Sequence, residues 1–230
     1  MKLEKDTHEP KLPRERWYDD ACGTAMALEL VGERWSLLIV RELMFGPRRF
    51  NELKNSLPGI SANVLTQRLE GMETAGILMR RKLPPPASVQ VYELTRLGYA
   101  AETAIKELGR CAARSPLHDP TLPLSAASIM LSFRTMLDRQ RAEGIDAVIG
   151  FRFGDEQFRA HLAGGEIRIA RGEIGDAELV FAGTPMTLGA AVYGGQPLEE
   201  LERTGALTVE GNRSLAGRFL TLFPLPAKLI

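Results

Sequence analysis

Apolar positions recur every three or four residues from Ala21 to about Ser115. Beyond residue 124 the spacing repeatedly tightens towards two, so the chain reads as a helical segment followed by a mixed one, an α+β organisation overall. In "RWSLLIVRELMFG", Leu37, Val40, Arg41 and Met44 share one stripe, which predicts a buried helix ending at Gly46. "RRFNELKNSLPGIS" predicts a short amphipathic helix through Phe50, Leu53 and Leu57, broken by Pro58 and Gly59. Ser61 then stands where a helix N-cap is wanted, and Leu65, Leu69 and Met72 follow on one face. The opposite edge carries Asn63, Thr66, Gln67 and Arg68.

Two helices joined by a tight glycine-containing turn form a helix-turn-helix, whose second helix enters the DNA major groove with its first residues over base edges. The expected base-reading residues are Ala62, Asn63, Thr66 and Gln67. Asn and Gln pair bidentately with adenine, with about 1–3 kcal/mol of discrimination per good pair. "ILMRRKL" and "VQVYEL" then predict two strands joined by a stiff "PPPAS" tip that cannot extend a ladder, which makes a wing. Arg80, Arg81 and Lys82 on that wing, with Arg48, Arg49, Ser61 and Arg68, are the expected phosphate contacts. Arg48 and Arg49 open a helix where a cation opposes the dipole, so a phosphate explains them better than helix stability does. A structural ion pair is the alternative for Arg49, and a plainly solvated charged hairpin for the wing cations.

"PLHDPTLPLSA" packs three prolines into a stretch that cannot stay helical, and a domain boundary is placed there. The division is a 1–20 N-terminal arm, a 21–115 DNA-binding domain, a 116–124 linker and a 125–230 domain. In the last, "SAASIMLSFRTMLDRQRAEG" predicts a helix, and "AVIGFRF", "EIRIARG" and "AELVFAG" predict strands. Thr184 and Pro185 start a helix containing Leu188, Ala191 and Val192. Asn212 starts another, with Leu215, Phe219 and Leu222 on one stripe and Ala216, Leu220 and Phe223 on the next. That last helix is apolar over more than half its surface and needs a cover of sheet, ligand or partner.

Composition adds little until it is localised. The 230 residues carry 29 basic and 29 acidic side chains, so the whole chain gives no argument for a polyanion. From Arg34 to Arg96, however, ten basic residues face five acidic ones, a local charge of +5 that leaves the remainder acidic. Cys22 and Cys111 make no disulfide framework, and neither a signal peptide nor a membrane span is legible, so a cytoplasmic protein is expected. His8, His118 and His161 have no metal-ligand spacing, and nucleophile elbow, Walker and dinucleotide motifs are absent. The carboxylate pairs Asp155–Glu156 and Glu199–Glu200 fall in turn or helix-start contexts. No catalytic residue, metal site or cofactor is expected.

The run from Cys22 to Gly98, with "RRFNEL", "GIS", "LTQRL" and "YELT" in order, resembles the HxlR-type winged helix-turn-helix regulators, relatives of the MarR group. The resemblance implies a homodimer formed by helices flanking the winged core, bound to a near-palindromic double-stranded operator. It also places Cys22 at a position that in some members senses oxidants or electrophiles. Here Gly23 departs from the usual proline, and a packed small hydrophobe is the favoured reading of the thiol. Ala62-Asn63 stands where a basic residue is frequent, which leaves the operator sequence open.

From Asp146 on, the order of strands, "GDAELVFAGTPMTL" and "LTVEGNRSLAGRFLTLF" resembles the sterol carrier protein type-two fold. That resemblance implies an apolar tunnel, for which Met130, Phe133, Leu188, Val192, Leu215, Phe219 and Leu222 are the expected lining, and an apolar small-molecule effector; filling a core is the other reading of these positions. The two halves together predict a ligand-responsive DNA-binding regulator. A carrier or sequestering protein that uses its winged half for dimerisation or protein interaction is the alternative.

Overall fold

A computed structural model describes residues 18–229. The arm expected over 1–20, up to residue 17, and His8 with it, lie outside the described residues. The chain forms two compact units, Met1–Glu102 and Thr103–Ile230.

In the first unit the order is α1 (Gly23–Val31), α2 (Ser36–Leu43), α3 (Phe50–Ser56), α4 (Ala62–Thr74), β1 (Leu78–Lys82), β2 (Gln90–Leu94) and α5 (Arg96–Ala100). The buried face of α2 is Ser36, Ile39, Val40 and Leu43 rather than the stripe through Leu37 and Arg41, because Ile39 and Leu43 join Leu53, Leu57, Leu65 and Leu69 in the core. Leu38 is exposed and Arg41 is ion-paired with the buried Glu42 at 2.8 Å. Gly59 adopts φ +91° in the turn between α3 and α4, a conformation that a side chain would oppose. Ile60 and Leu65, one on each side of the Ser61 cap, are both buried, which fixes the angle at which the chain enters α4. β1 and β2 pair antiparallel from Leu78↔Leu94 to Lys82↔Gln90, and a bridge from Arg48 to Tyr92 ties the start of the helix-turn-helix to the wing.

The second unit comprises α6 (Glu102–Ala113), α7 (Ala126–Met136), β3 (Asp146–Phe153), β4 (Glu156–Ala163), β5 (Glu166–Arg171), β6 (Leu179–Gly183), α8 (Pro185–Val192), α9 (Leu198–Arg203), β7 (Leu207–Gly211) and α10 (Arg213–Leu220). Compactness groups α6 here, whereas the sequence reading carried the first domain to residue 115. The physical reason is visible at the end of α6. Lys228 Nζ donates to the carbonyls of Ala113 and Ser115 at 3.1 and 3.0 Å, Leu229 N donates to Arg114 O at 2.8 Å, and Arg110 donates to Thr135 O. An ammonium on the last carbonyls of a helix also suits its dipole.

The five-stranded sheet runs β5-β4-β3-β6-β7, with β3 and β6 parallel and the other pairs antiparallel. Helix α10 packs on β6 and β7, α8 on β6, and α7 on α8. Between them Phe133, Phe151, Phe158, Phe181, Phe219 and Phe223 are fully buried. Phe133 stacks on Phe223 at 4.5 Å, and Phe219 meets Phe133 and Phe181 at 5.4 Å each and Phe151 at 5.8 Å.

Candidate nucleic-acid interface

Helix α4 takes its start from Ser61, whose Oγ accepts from Val64 N at 3.2 Å. Leu65, Leu69 and Met72 are buried, and Ala62, Asn63, Thr66 and Gln67 are exposed on the other edge. Asn63, Thr66 and Gln67 have no side-chain hydrogen-bond partner among the described residues, so their amides and hydroxyl are free for an outside partner. Glu70 is exposed further along the same helix, where it would repel a phosphate and so confines a favourable DNA contact to the first two turns.

The cations divide into those that the fold consumes and those that it leaves available. Arg48, expected as a phosphate contact, is instead buried at 5% exposure, with Glu52 Oε2 at 3.5 Å and Ser56 Oγ at 3.1 Å. Its guanidinium ties α3 together from inside. Arg68, expected in the same role, is turned back onto the first unit: its Nε donates to Arg34 O at 3.0 Å and its Nη1 pairs with Glu33. Both contacts hold the turn before α2 against α4.

Arg80 and Arg81 are exposed on β1 but each has an acidic neighbour. Arg80 binds Glu73 at the end of α4 at 2.7 Å, and Arg81 binds Glu93 across the hairpin. The Arg80 guanidinium holds the Glu73 carboxyl below the usual carboxylate range and is itself raised by it. Exposed pairs of this kind are weak and can exchange a carboxylate for a phosphate. The Glu73 contact also places β1 beside the C-terminal end of α4, on which it packs. Arg49 and Lys82 are exposed and have no ion-pair partner among the described residues. Arg49 is the N-cap of α3, where its backbone N–H donates to Glu52 at 2.8 Å.

Sequence reasoning did not single out three further cations of the first unit: Arg34 is exposed over the Trp35 ring at 5.3 Å and has no ion-pair partner among the described residues. Lys54 on α3, half-buried, and Arg96 at the start of α5 have no ion-pair partner among the described residues either, and the local excess of basic residues was the signal that contained them.

Cys22 is exposed at the N-cap of α1, not packed as a small hydrophobe. The Thr24 backbone N–H and hydroxyl and the Ala25 N–H at the start of α1 draw its thiol below the ordinary range, although no side chain-cap hydrogen bond is closed there.

The positions expected to line an apolar tunnel lie elsewhere in character. Met130, Phe133, Leu188, Phe219 and Leu222 are fully buried, Leu215 is nearly so, and Val192 is half-buried. Ring-to-ring packing of Phe133 and Phe219 onto the sheet fills the space between helix and strands with protein, because six phenylalanines of one interior satisfy each other better than a void would. Leu222 lies past the end of α10 rather than on its stripe.

A helix-turn-helix with an attached hairpin, an unpartnered polar edge on its second helix and exposed cations on its wing is a fold of the DNA-binding class. The HxlR-like helix-turn-helix family model matches residues 30–116. The chain is 38% identical over 82 residues to the HTH-type transcriptional regulator YodB of Bacillus subtilis, covering 36% of this chain and 73% of that protein. It is 34% identical over 86 residues to the uncharacterized HTH-type transcriptional regulator YvaP of the same organism, covering 37% of this chain and 80% of that one. Among solved structures, the reduced form of YodB is 34% identical over 43% of this chain and 98% of its own, with a TM-score of 0.39. The chain belongs to the HxlR-type helix-turn-helix transcriptional regulators, a DNA-binding family. No helix among the described residues is long and apolar enough to cross a membrane.

Proposed function

We propose that the protein is a homodimeric transcriptional regulator that reads a near-palindromic operator with the first two turns of α4. The observation that carries this is the exposed, unpartnered edge Asn63, Thr66 and Gln67 on a capped and rigidly seated helix. Ala62 and Thr66 offer apolar contact to a thymine methyl, Asn63 and Gln67 a bidentate pair to adenine. Arg49 and Lys82 are the phosphate contacts, joined by Arg80 and Arg81 once DNA replaces their carboxylates. Ser61 acts through its cap rather than by touching DNA.

Self-association is supported by α1. Six of its nine residues are apolar, yet only Ala25 is buried and Leu28 is 49% exposed. A helix of that composition needs a cover, and a second copy supplies it with two-fold symmetry. The two recognition helices then lie about 34–36 Å apart, one turn of B-DNA. The second unit, whose order of strands and helices supports the sterol-carrier-like reading, is the effector-receiving half. Its closed phenylalanine interior argues against an apolar cargo and so against the carrier alternative.

A salt titration tests the first claim. Binding to the DNA upstream of the protein's own gene should weaken linearly in log–log form and should remain tighter than binding to random duplex at every salt concentration. Equal affinity for both would refute operator reading.

Cys22 favours a second, compatible input. An exposed thiol with a depressed pKa at a helix start attacks electrophiles readily. Alkylation with iodoacetamide, which leaves an S-carboxamidomethyl group and releases iodide, should change operator affinity in the native protein and leave Cys22→Ser unaffected. Equal responses would remove Cys22 from regulation.

A further inference from the structure

The face of the second unit's sheet opposite the phenylalanines carries a groove of about 580 Å³, bordered by Arg152, Gln157, Glu173, Ile174, Val180 and Glu210. The strand registers explain why these side chains meet. Arg152 of β3 stands opposite Gln157 of β4, and Val180 of β6 opposite Glu210 of β7, so all four project from the same side of adjacent strands. Their alternates, Phe151, Phe158, Phe181 and Val209, face the other way.

The rim is the crossover between β5 and β6, and it is anchored rather than loose. Arg159 donates to Ile174 O at 2.6 Å and pairs with Asp176 at 2.8 Å. Glu178 N donates to Val148 O at 2.9 Å, and Asn212 N donates to Glu178 O at 2.8 Å. Two glycines allow this close approach. A Cβ on Gly150 would lie 2.2 Å from Ile174 Cγ2, and one on Gly211, which has φ +92°, would lie 2.1 Å from Glu178 O. A side chain at either position would lift the crossover and collapse or widen the groove.

The chemistry of the groove is bipolar. The Arg152 guanidinium, on the middle strand of the sheet, is a carboxylate-binding group. Glu210 on β7 is its anionic partner, and Val180 with Ile174 gives an apolar floor, both being buried. Arg152 and Glu210 meet only at 3.5 Å with 42% and 60% of their side chains exposed, so the pair is weak and a ligand that brings its own two charges can divide it at little cost.

We propose that this groove is the effector site of the second unit and that it takes a free amino acid, which divides the Arg152–Glu210 pair, with its carboxylate on Arg152, its ammonium on Glu210 and its side chain over Val180 and Ile174. This rests on the reading of the second unit as the effector-receiving half, but it replaces an apolar effector by a zwitterionic one. Both charges are needed, so acetate, methylammonium and laurate should not substitute.

The experiment is thermal unfolding of the full chain with each proteinogenic L-amino acid at about 5 mM, beside acetate, methylammonium and laurate. At least one amino acid should raise Tm by about 2 °C or more, saturably, and the three controls should not. In Arg152→Met and Glu210→Gln, both exposed enough to leave folding intact, that shift should vanish. Absence of a shift with every amino acid, a shift that survives both substitutions, or a shift with laurate alone overturns the site. Operator affinity measured with the best amino acid separates the two claims. An amino acid that binds through Arg152 without changing operator affinity keeps the site and overturns its role as effector site, whereas intact operator binding with no amino-acid shift overturns the site and leaves the regulator reading standing.

Discussion

Helices α4 and α10 start with the same local chemistry. Ser61 accepts from Val64 N at 3.2 Å and Asn212 from Leu215 N at 3.0 Å, and each helix then carries an apolar stripe. Their other edges differ. On α10 the cations are consumed by the unit itself, Arg213 by Glu202 at 2.6 Å and Arg218 by the carbonyl of Glu143. On α4, Asn63, Thr66 and Gln67 have no partner among the described residues. An amphipathic pattern therefore says which side of a helix is buried, and only the fate of the remaining polar groups says whether the helix has an outside function. A solvated polar edge that the fold does not use is what an interface requires, while a polar edge held in place is part of the scaffold.

The contrast can be broken most severely at its buried end. Phe219→Ala should destabilise the second unit by about 3–5 kcal/mol, since Phe219 touches four other buried rings, and denaturant unfolding would report it. A loss under about 1 kcal/mol would mean that the interior is looser than the packing implies and would reopen an apolar cavity. On α4 the same kind of truncation should leave stability alone and move binding. Asn63→Ala and Gln67→Ala should each cost about 1–3 kcal/mol of operator affinity, with binding to random duplex unchanged. A uniform loss on both DNAs would make these residues backbone contacts.

Smaller effects sharpen the picture. Ser61→Ala should lower the stability of the first unit by about 1 kcal/mol through its cap, measurable by thermal unfolding. Lys82→Ala should weaken binding to all sequences alike and reduce the salt slope by about 1, whereas Arg48→Ala should destabilise the fold without a change in slope. The least is expected at Cys22. Because its thiol is held below the ordinary range and the thiolate is the reactive form, the alkylation rate should rise at lower pH than for a free cysteine, and Thr24→Val should move that rise back up. A rise at the ordinary thiol pH in the native protein would remove the helix N-terminus as its cause.

Which of these features were legible beforehand follows a physical line. The cap at Ser61, the stripe Leu65, Leu69 and Met72, and the two wing strands are local patterns, and they stand where periodicity put them. Strand β4 was overlooked although Phe158, Ala160 and Leu162 alternate on its buried face, since "DEQFRAHL" reads as polar unless its partners are known. The stripe on α2 was placed one residue out of phase, because a helix so rich in apolar residues has several stripes that fit and the core selects among them.

Ion pairing was beyond reach in principle. Arg48, Arg49, Arg68 and Lys82 look alike as letters, yet Arg48 closes onto Ser56 and Glu52 and Arg68 reaches back to Glu33, more than thirty positions away along the chain. Charge alone marked all four, and geometry removed two. The tunnel residues show the same limit. An apolar side chain is equally apolar against a ligand and against another phenylalanine, so only coordinates reveal that Phe133 stacks on Phe223 at 4.5 Å.

The order of residues by itself determined the two kinds of unit, the winged helix-turn-helix, the start and buried face of its second helix and the family to which the chain belongs, because caps, glycine breaks and apolar spacing act over a few residues. Tertiary structure decided which arginines the fold buries or pairs, that Cys22 stands exposed, that the second unit is filled with rings and that its open groove is polar. Those outcomes depend on which distant groups meet, and the free energy of a charge or a ring is set by its neighbours in space rather than by its neighbours in the chain.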